Sequence, residues 1–377
     1  MRRQLQSMSV VMAIAIAAGP VIVRGQDNNT SNHHAVFVMT NAADKNEVIA
    51  YQRNADGSLR ETQRVPTGGR GSGGNNDPLE SQGSLTLSED HSLLFAVNAG
   101  SGEVSVFRVE GSRLSLSDKV ASSGSEPNAI AQHGDLVYVL NTGGSSNVVG
   151  FHLQGDQLLP IDHSIAFLST NTAGAASIAI SPDGQFVAVT ERLTNSIDVF
   201  KILGDGTLSP IVVNPSIGPG AFSVSFAPDG VAIVSETGPA GVPNGSAVSS
   251  YAVAAGGTLQ PISSSVPTLG AANCWNVVTP DGRFVYVSNA GSSTISGFAI
   301  GANGSLSALP GTVVAANPTG ATNLDITVSA DGKFLYTLNS HNGTVGIFAI
   351  QEDGTLKNAG SAGGVIPNSG FNGIAAN

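Results

Sequence analysis

The chain has 377 residues, 41% of them hydrophobic and only 11% charged, with a formal net charge of −11. Nothing in that balance could neutralise a run of phosphates, which excludes nucleic acid and argues equally against an anionic membrane surface. The single cysteine, Cys274, rules out an internal disulfide.

The chain opens with Arg2 and Arg3, an apolar stretch over residues 10–23, then Arg24-Gly25-Gln26. A basic start followed by an apolar run too short to span a bilayer comfortably is the layout of a secretory signal peptide. Residues 1–26 are therefore expected to be a signal peptide, with 27–34 a disordered lead-in and 35–377 one domain. Asn28, Asn29, Asn244, Asn303 and Asn342 each begin a glycosylation sequon.

From there an aromatic residue recurs in a short apolar run, followed seven or eight residues later by leucine. The aromatics are Tyr51, Phe107, Phe151, Phe200, Tyr251, Phe298 and Phe348; their leucines are Leu59, Leu114, Leu158, Leu208, Leu259, Leu306 and Leu356. A period of about 50 residues, made of strands and turns without helical spacing, signals a β-propeller. The expected fold is all-β: seven four-stranded antiparallel blades.

In chain order, the first blade starts directly with a strand over residues 35–40 and lacks an innermost one. Blades two and three carry degraded turns at Glu89-Asp90-His91 and His133-Gly134-Asp135. The pattern then sharpens at Pro182-Asp183-Gly184, Pro228-Asp229-Gly230, Pro280-Asp281-Gly282 and Ala330-Asp331-Gly332, where Pro fixes φ and Gly takes positive φ. The sixth blade is the best formed, with strands expected over 275–279, 284–289, 294–300 and 306–314. The tail, 373–377, reads as an innermost strand with nothing after it. It is expected to complete blade one and close the ring, removing both exposed edges.

Propeller geometry brings the start of each first strand and the end of each second strand to one mouth of the channel, the usual place for a ligand. The second strands end in Asn41, Asn98, Asn141, Glu191, Glu236, Asn289 and Asn339. The asparagines suit loop capping. Ionised Glu191 and Glu236 cannot donate, so they are the candidate catalytic acid and base; the alternative is a pair of rim carboxylates, one bonded to Arg192. Arg192 or Arg70 could hold a substrate anion, and Asp325 is a further channel carboxylate. Asn273-Cys274-Trp275-Asn276 places Trp275 and Asn276 at the mouth, Trp275 either as a stacking wall or as a gap filler. Cys274 has no His nearby and is a weak candidate nucleophile.

The longest connection, residues 66–83, contains Arg70 and Asp77 and is a candidate lid. Its Gly69-Arg70-Gly71-Ser72-Gly73-Gly74 lacks the strand–helix context of a dinucleotide fingerprint and is rejected. No cluster of His or Cys has metal spacing, so neither a cofactor nor a metal is expected.

The units Ser-Pro-Asp-Gly (181–184), Phe-Val-Tyr-Val-Ser-Asn (284–289), Thr-Ile-Ser-Gly-Phe (294–298) and Asp-Gly-Thr-Leu (353–356) resemble the seven-bladed lactonase family. That family includes bacterial 6-phosphogluconolactonases and fungal 3-carboxy-cis,cis-muconate cyclases, and the resemblance extends over residues 35–377. It implies a His, an Arg and a Glu at the mouth. The positions aligned with the His and Arg hold Ala176 and Phe222, and Glu236 falls one residue short of the Glu. Segments such as Val189-Thr190-Glu191 and Cys274-Trp275 are similar to an exported branch of the family. The expected function is an exported, secreted or periplasmic lactonase-like propeller, a monomer hydrolysing or cycloisomerising a small lactone or carboxylate. The alternative is a non-catalytic propeller binding a ligand or protein partner. A converging glutamate pair favours the enzyme, whereas a mouth closed by Trp275 and the long loop favours binding.

Overall fold

The turn chemistry repeats from blade to blade. Ser181 Oγ donates to Asp183 Oδ1 at 2.6 Å, Thr279 Oγ1 to Asp281 at 2.6 Å, and Ser329 Oγ to Asp331 at 2.7 Å. Gly184, Gly282 and Gly332 follow with φ of 67°, 71° and 68°. Blade two keeps the turn despite its degraded sequence: Ser88 Oγ bonds Asp90, and His91 takes φ of 57° where the others use glycine. Such Ser/Thr–Asp closures bond the turn to itself in place of water and so fix its conformation. The Ser88 and Ser181 hydroxyls hold the Asp90 and Asp183 carboxyls below the usual carboxylate range.

A computed structural model describes residues 34–377. The signal-peptide segment and all but the last residue of the lead-in lie outside the described residues. Among the described residues every element is a strand, and no helix is long and apolar enough to cross a membrane. The strands form seven antiparallel sheets in sequence order. Blade six has strands Asn273–Val278, Phe284–Asn289, Thr294–Ile300 and Leu306–Ala316. Blade three has a broken outer edge, Gln157–Pro160 followed by Ala166–Phe167, and that of blade four is interrupted between Leu208, which bridges to Ile202, and Val212–Pro215.

The innermost strands pack each against the next around the channel, and the seventh, Asn323–Val328, packs against Ile374–Ala376. That last strand joins blade one, pairing Val36 with Ala376, Phe37 with Ala375 and Val38 with Ile374. Asn377 adds a side-chain bond, its Oδ1 accepting from Ala35 N at 2.6 Å. The ring is closed by the C-terminal strand, as the sequence leads one to expect.

All seven repeat aromatics are at most 1% exposed, so the sequence period marks the core between blades. Each such ring contributes about 2–3 kcal/mol of burial, which makes the aromatic stripe the main apolar cement. Tyrosines add polar stitches between neighbouring blades: Tyr138 donates to Gly206 O and Tyr286 to Gly354 O, both at 2.8 Å.

Candidate functional site at the channel mouth

Near the mouth, the inner strands of blades three to seven slip register. The breaks fall at Asn128, Ala176, Phe222–Ser223, Cys274 and Asp325. A bulge frees one residue from the ladder and re-aims it, a common device beside binding sites. On one side these positions are apolar. Ala176, Phe222 and Trp275 pack in one cluster, the Phe222 and Trp275 rings edge to face with centroids 5.1 Å apart.

The long loop crosses the channel. Ser81 O accepts from Trp275 Nε1 at 2.9 Å, and Ser81 Oγ donates to Asn128 O at 2.8 Å. Gln82 N donates to Ala176 O at 2.8 Å. The Gln82 amide also brackets the backbone of Asn276, donating to its O at 2.6 Å and accepting from its N at 3.1 Å. A loop leaving blade one is thus bonded to blades three, four and six, and it plugs the channel. Trp275 is 1% exposed and Asn276 is fully buried, its amide taken up by Ser223, Ser225 and Ser235. On the other side of Gln82 a cavity of about 220 Å³ is lined by Thr86, Val277, Asp325 and Thr327 among others.

Glu191 and Glu236 are fully buried and share no partner. Glu236 accepts from Gly218 N (2.9 Å) and from the hydroxyls of Ser249 and Ser265. Glu191 accepts from Ser169 N (2.9 Å), the Ser169 and Thr194 hydroxyls and the Asp198 carboxyl. Burial pushes Glu191 up, but the Asp198, Ser169 and Thr194 hydrogen bonds outweigh it and hold the group below its ordinary value. Asp198 goes the other way, raised to about 8 by burial first and then by the hydrogen bond and charge of Glu191. The two glutamates therefore occupy the loop-holding position of the five asparagines. In blades two and six the corresponding asparagines donate to Ser105 and Ser296. Where the acceptor-only carboxylate replaces the amide, every partner is a donor, and Asp198 serves by keeping its proton.

Polar groups gather instead around Asp77 of the long loop. Asp77 Oδ1 accepts from Asn372 Nδ2 at 2.7 Å and from Glu80 N at 3.1 Å. Its second oxygen accepts from no group among the described residues. Arg192 forms an ion pair with Glu80, and its guanidinium acts electrostatically on both Asp77 and Cys274. Burial and the Glu80 charge raise Asp77 to about 7, with Asp325 adding to the rise and Arg192 opposing it. Asp325 is itself raised to about 7 by burial, against the N–H groups of Ile326 (2.8 Å) and Ile374 (3.1 Å). Burial, then Asp77, push the Cys274 thiol well up, so it stays protonated and is a poor nucleophile.

Of the sequence candidates, the fold brings Arg192 and Asp325 to Asp77, while Trp275 and Asn276 belong to the plug. Arg70 lies elsewhere on the rim, bonded through its backbone to Gly100 and Ser101 and close to Glu103. Sequence reasoning noted Asp77 but did not single it out. The available signal was its place in the longest connection. Asn372 gave no local signal at all. Among the described residues no group of three or more His, Cys, Asp or Glu side chains is placed to hold a metal ion.

A family model described as "Lactonase, 7-bladed beta-propeller" matches residues 30–167 and 158–274. The chain belongs to that lactonase family. Solved structures agree on the fold. A protein from Bacteroides uniformis assigned as a 6-phosphogluconolactonase superposes with a TM-score of 0.71 at 19% identity, covering 92% of this chain and 99% of its own. The periplasmic gluconolactonase PpgL of Pseudomonas aeruginosa does so with a TM-score of 0.67 at 19% identity, covering 91% and 98%. No curated protein matches by sequence. Within the lactonase fold, this mouth differs from what the family resemblance implies. The positions of the expected His and Arg are the apolar Ala176 and Phe222, and charge enters from the loop and from blades four and seven.

Proposed function

We propose that this lactonase-family propeller hydrolyses a small lactone at the mouth, with Asp77 as general base and Arg192 as the cationic group. The observation that carries the reading is the free oxygen of Asp77, half-buried in the field of the Arg192 guanidinium. A carboxyl near pH 7 both takes and returns a proton at modest cost. In the proposed cycle, water attacks the lactone carbonyl as Asp77 takes its proton. The ring C–O bond then breaks, and the departing alkoxide takes that proton back, leaving a hydroxy acid. Arg192 meets the developing oxyanion after leaving Glu80, a partly exposed pair worth at most about 1 kcal/mol. Cycloisomerisation of an unsaturated carboxylate would instead need protonated Asp77 to give its proton to one alkene carbon while the carboxylate oxygen, held by Arg192, bonds to the other. Glu191 and Glu236 we assign to holding loops. The basic, then apolar N-terminal segment supports an exported protein.

The test is hydrolysis of a lactone panel, from sugar lactones to muconolactones, by purified protein and by Asp77→Asn. Turnover reduced at least about 100-fold in a folded Asp77→Asn protein is expected. Turnover at the wild-type rate in that variant would remove Asp77 from the chemistry. The plugged channel favours a second reading, a non-catalytic module that binds a carboxylate at Arg192. Binding of a panel member without turnover would select it.

A further inference from the structure

Three residues of the C-terminal segment connect the two carboxyls of the mouth. Asn372 Nδ2 donates to Asp77 Oδ1 at 2.7 Å, and Ile374 N donates to Asp325 Oδ2 at 3.1 Å. Between them Gly373 takes φ of 88°, and a Cβ there would meet Ser84 Oγ at 2.6 Å. Ser84 in turn donates to Asn372 Oδ1 at 2.8 Å, fixing which way the amide points. Asp325 sits on a bulge at φ of 42°, a conformation that Asn and Asp tolerate better than other side chains. The segment that completes blade one therefore also sets the separation of Asp77 and Asp325.

We propose that Asp325 is a positioning residue for Asp77, acting on it through charge across the Asn372–Ile374 bridge, so that closing the ring and readying the base are one event. The inference rests on Asp77 as the base. The charged groups acting on Asp77 are Glu80, Asp325 and Arg192. Of these charges Glu80 acts most strongly and Arg192 least, but only Asp325 is tied to Asp77 through the Asn372–Ile374 bridge. Among the described residues no cation acts on Asp325, and the partners opposing its rise are the two N–H groups. Its charge makes Asp77 harder to ionise, while the Asn372 N–H favours the ionised form.

The test is a ¹³C NMR titration of protein labelled at aspartate Cγ, with the Asp77 signal identified by its loss in Asp77→Asn. Asp325→Asn keeps the backbone preference and both shape and size while removing the charge. It is expected to lower the Asp77 midpoint by about one pH unit, and Asn372→Leu to raise it. The acid limb of kcat/KM should follow in the same two directions, a split that a purely structural defect does not produce. An Asp77 midpoint unmoved in Asp325→Asn overturns the inference, whatever the activity. Wild-type turnover in Asp77→Asn overturns the assignment of the base instead, and leaves the NMR answer standing.

Discussion

Arg53 forks onto Asp331 across the seam between blades one and seven, Nη2 to Oδ2 at 2.8 Å and Nη1 to Oδ1 at 3.3 Å. The guanidinium also lies over the Phe334 ring, 5.1 Å from its centroid. Arg53 is 5% exposed, and burial alone would raise Asp331, but the Arg53 and Ser329 hydrogen bonds bring it down to about 2. This pair and the C-terminal strand are two of the fastenings between blades one and seven, beside the Tyr51 hydroxyl that donates to Gly363 O at 3.0 Å.

Breaking that pair from one side should be costly. Arg53→Met leaves a half-buried carboxylate with the Ser329 hydroxyl, the Lys333 N–H and the distant Lys333 ammonium at 3.8 Å as its remaining partners. A loss of about 3 kcal/mol is expected from urea unfolding at pH 7. Because the folded pKa of Asp331 lies below its unfolded value, the contribution is complete above about pH 4. It fades as pH falls toward 2, so the gap between variant and wild type should close over that range. A gap that persists unchanged at pH 2.5 would assign the effect to packing on Phe334.

Asp198 predicts the opposite pH dependence. Its folded pKa, about 8, lies above the unfolded value, so the native state holds a proton that the unfolded chain has lost. Stability should fall as pH rises from about 4 to 8, and above that Glu191 and Asp198 repel. Asp198→Asn supplies a permanent donor to Glu191. The variant should melt higher than wild type at pH 9 and nearly level with it at pH 5; equal melting curves at pH 9 would refute the shared proton.

If Asp77 is the base, kcat/KM for any turned-over lactone should rise with pH through a midpoint near 7, because only the ionised carboxylate accepts the water proton. Arg192→Met should raise KM or lower kcat without moving that midpoint by more than the loss of one opposing charge allows. A rate that falls as pH rises from 6 to 8 would require an acid in place of a base.

Trp275→Ala removes a fully buried ring and the N–H that holds Ser81, at a cost of about 3–5 kcal/mol. The consequence should be local to the plug. Trypsin is expected to cleave after the exposed Arg70 much faster in the variant, with the blades otherwise intact by circular dichroism. Unchanged cleavage would show that Gln82 and Asn276 hold the loop without the indole.

The blade turns were legible because their partners are two to five residues apart: the one hydroxyl of Thr279 donates to Asp281 and accepts from Phe284 N. The aromatic stripe was legible because one ring per blade must fill the same inter-blade gap. The roles of Glu191 and Glu236 were harder to read. Whether a carboxylate at a strand end faces a channel or its own loop depends on donors such as Ser169 and Ser265, which are 22 and 29 residues away. Likewise, the residue type of Trp275 announced a special position but not whether its face would be covered.

The sequence by itself determined the seven-blade ring, its turns and its closing strand, since these follow from short-range periodicity and from the need to bury apolar stripes and leave no free edge. Only the tertiary structure decided which charges meet at the mouth. Asp77 and Asn372 are 295 residues apart, and Asp325 and Ile374 are 49 apart. They become neighbours because closing the ring brings the tail back beside the loop that leaves blade one, and no local pattern records a contact made by closure.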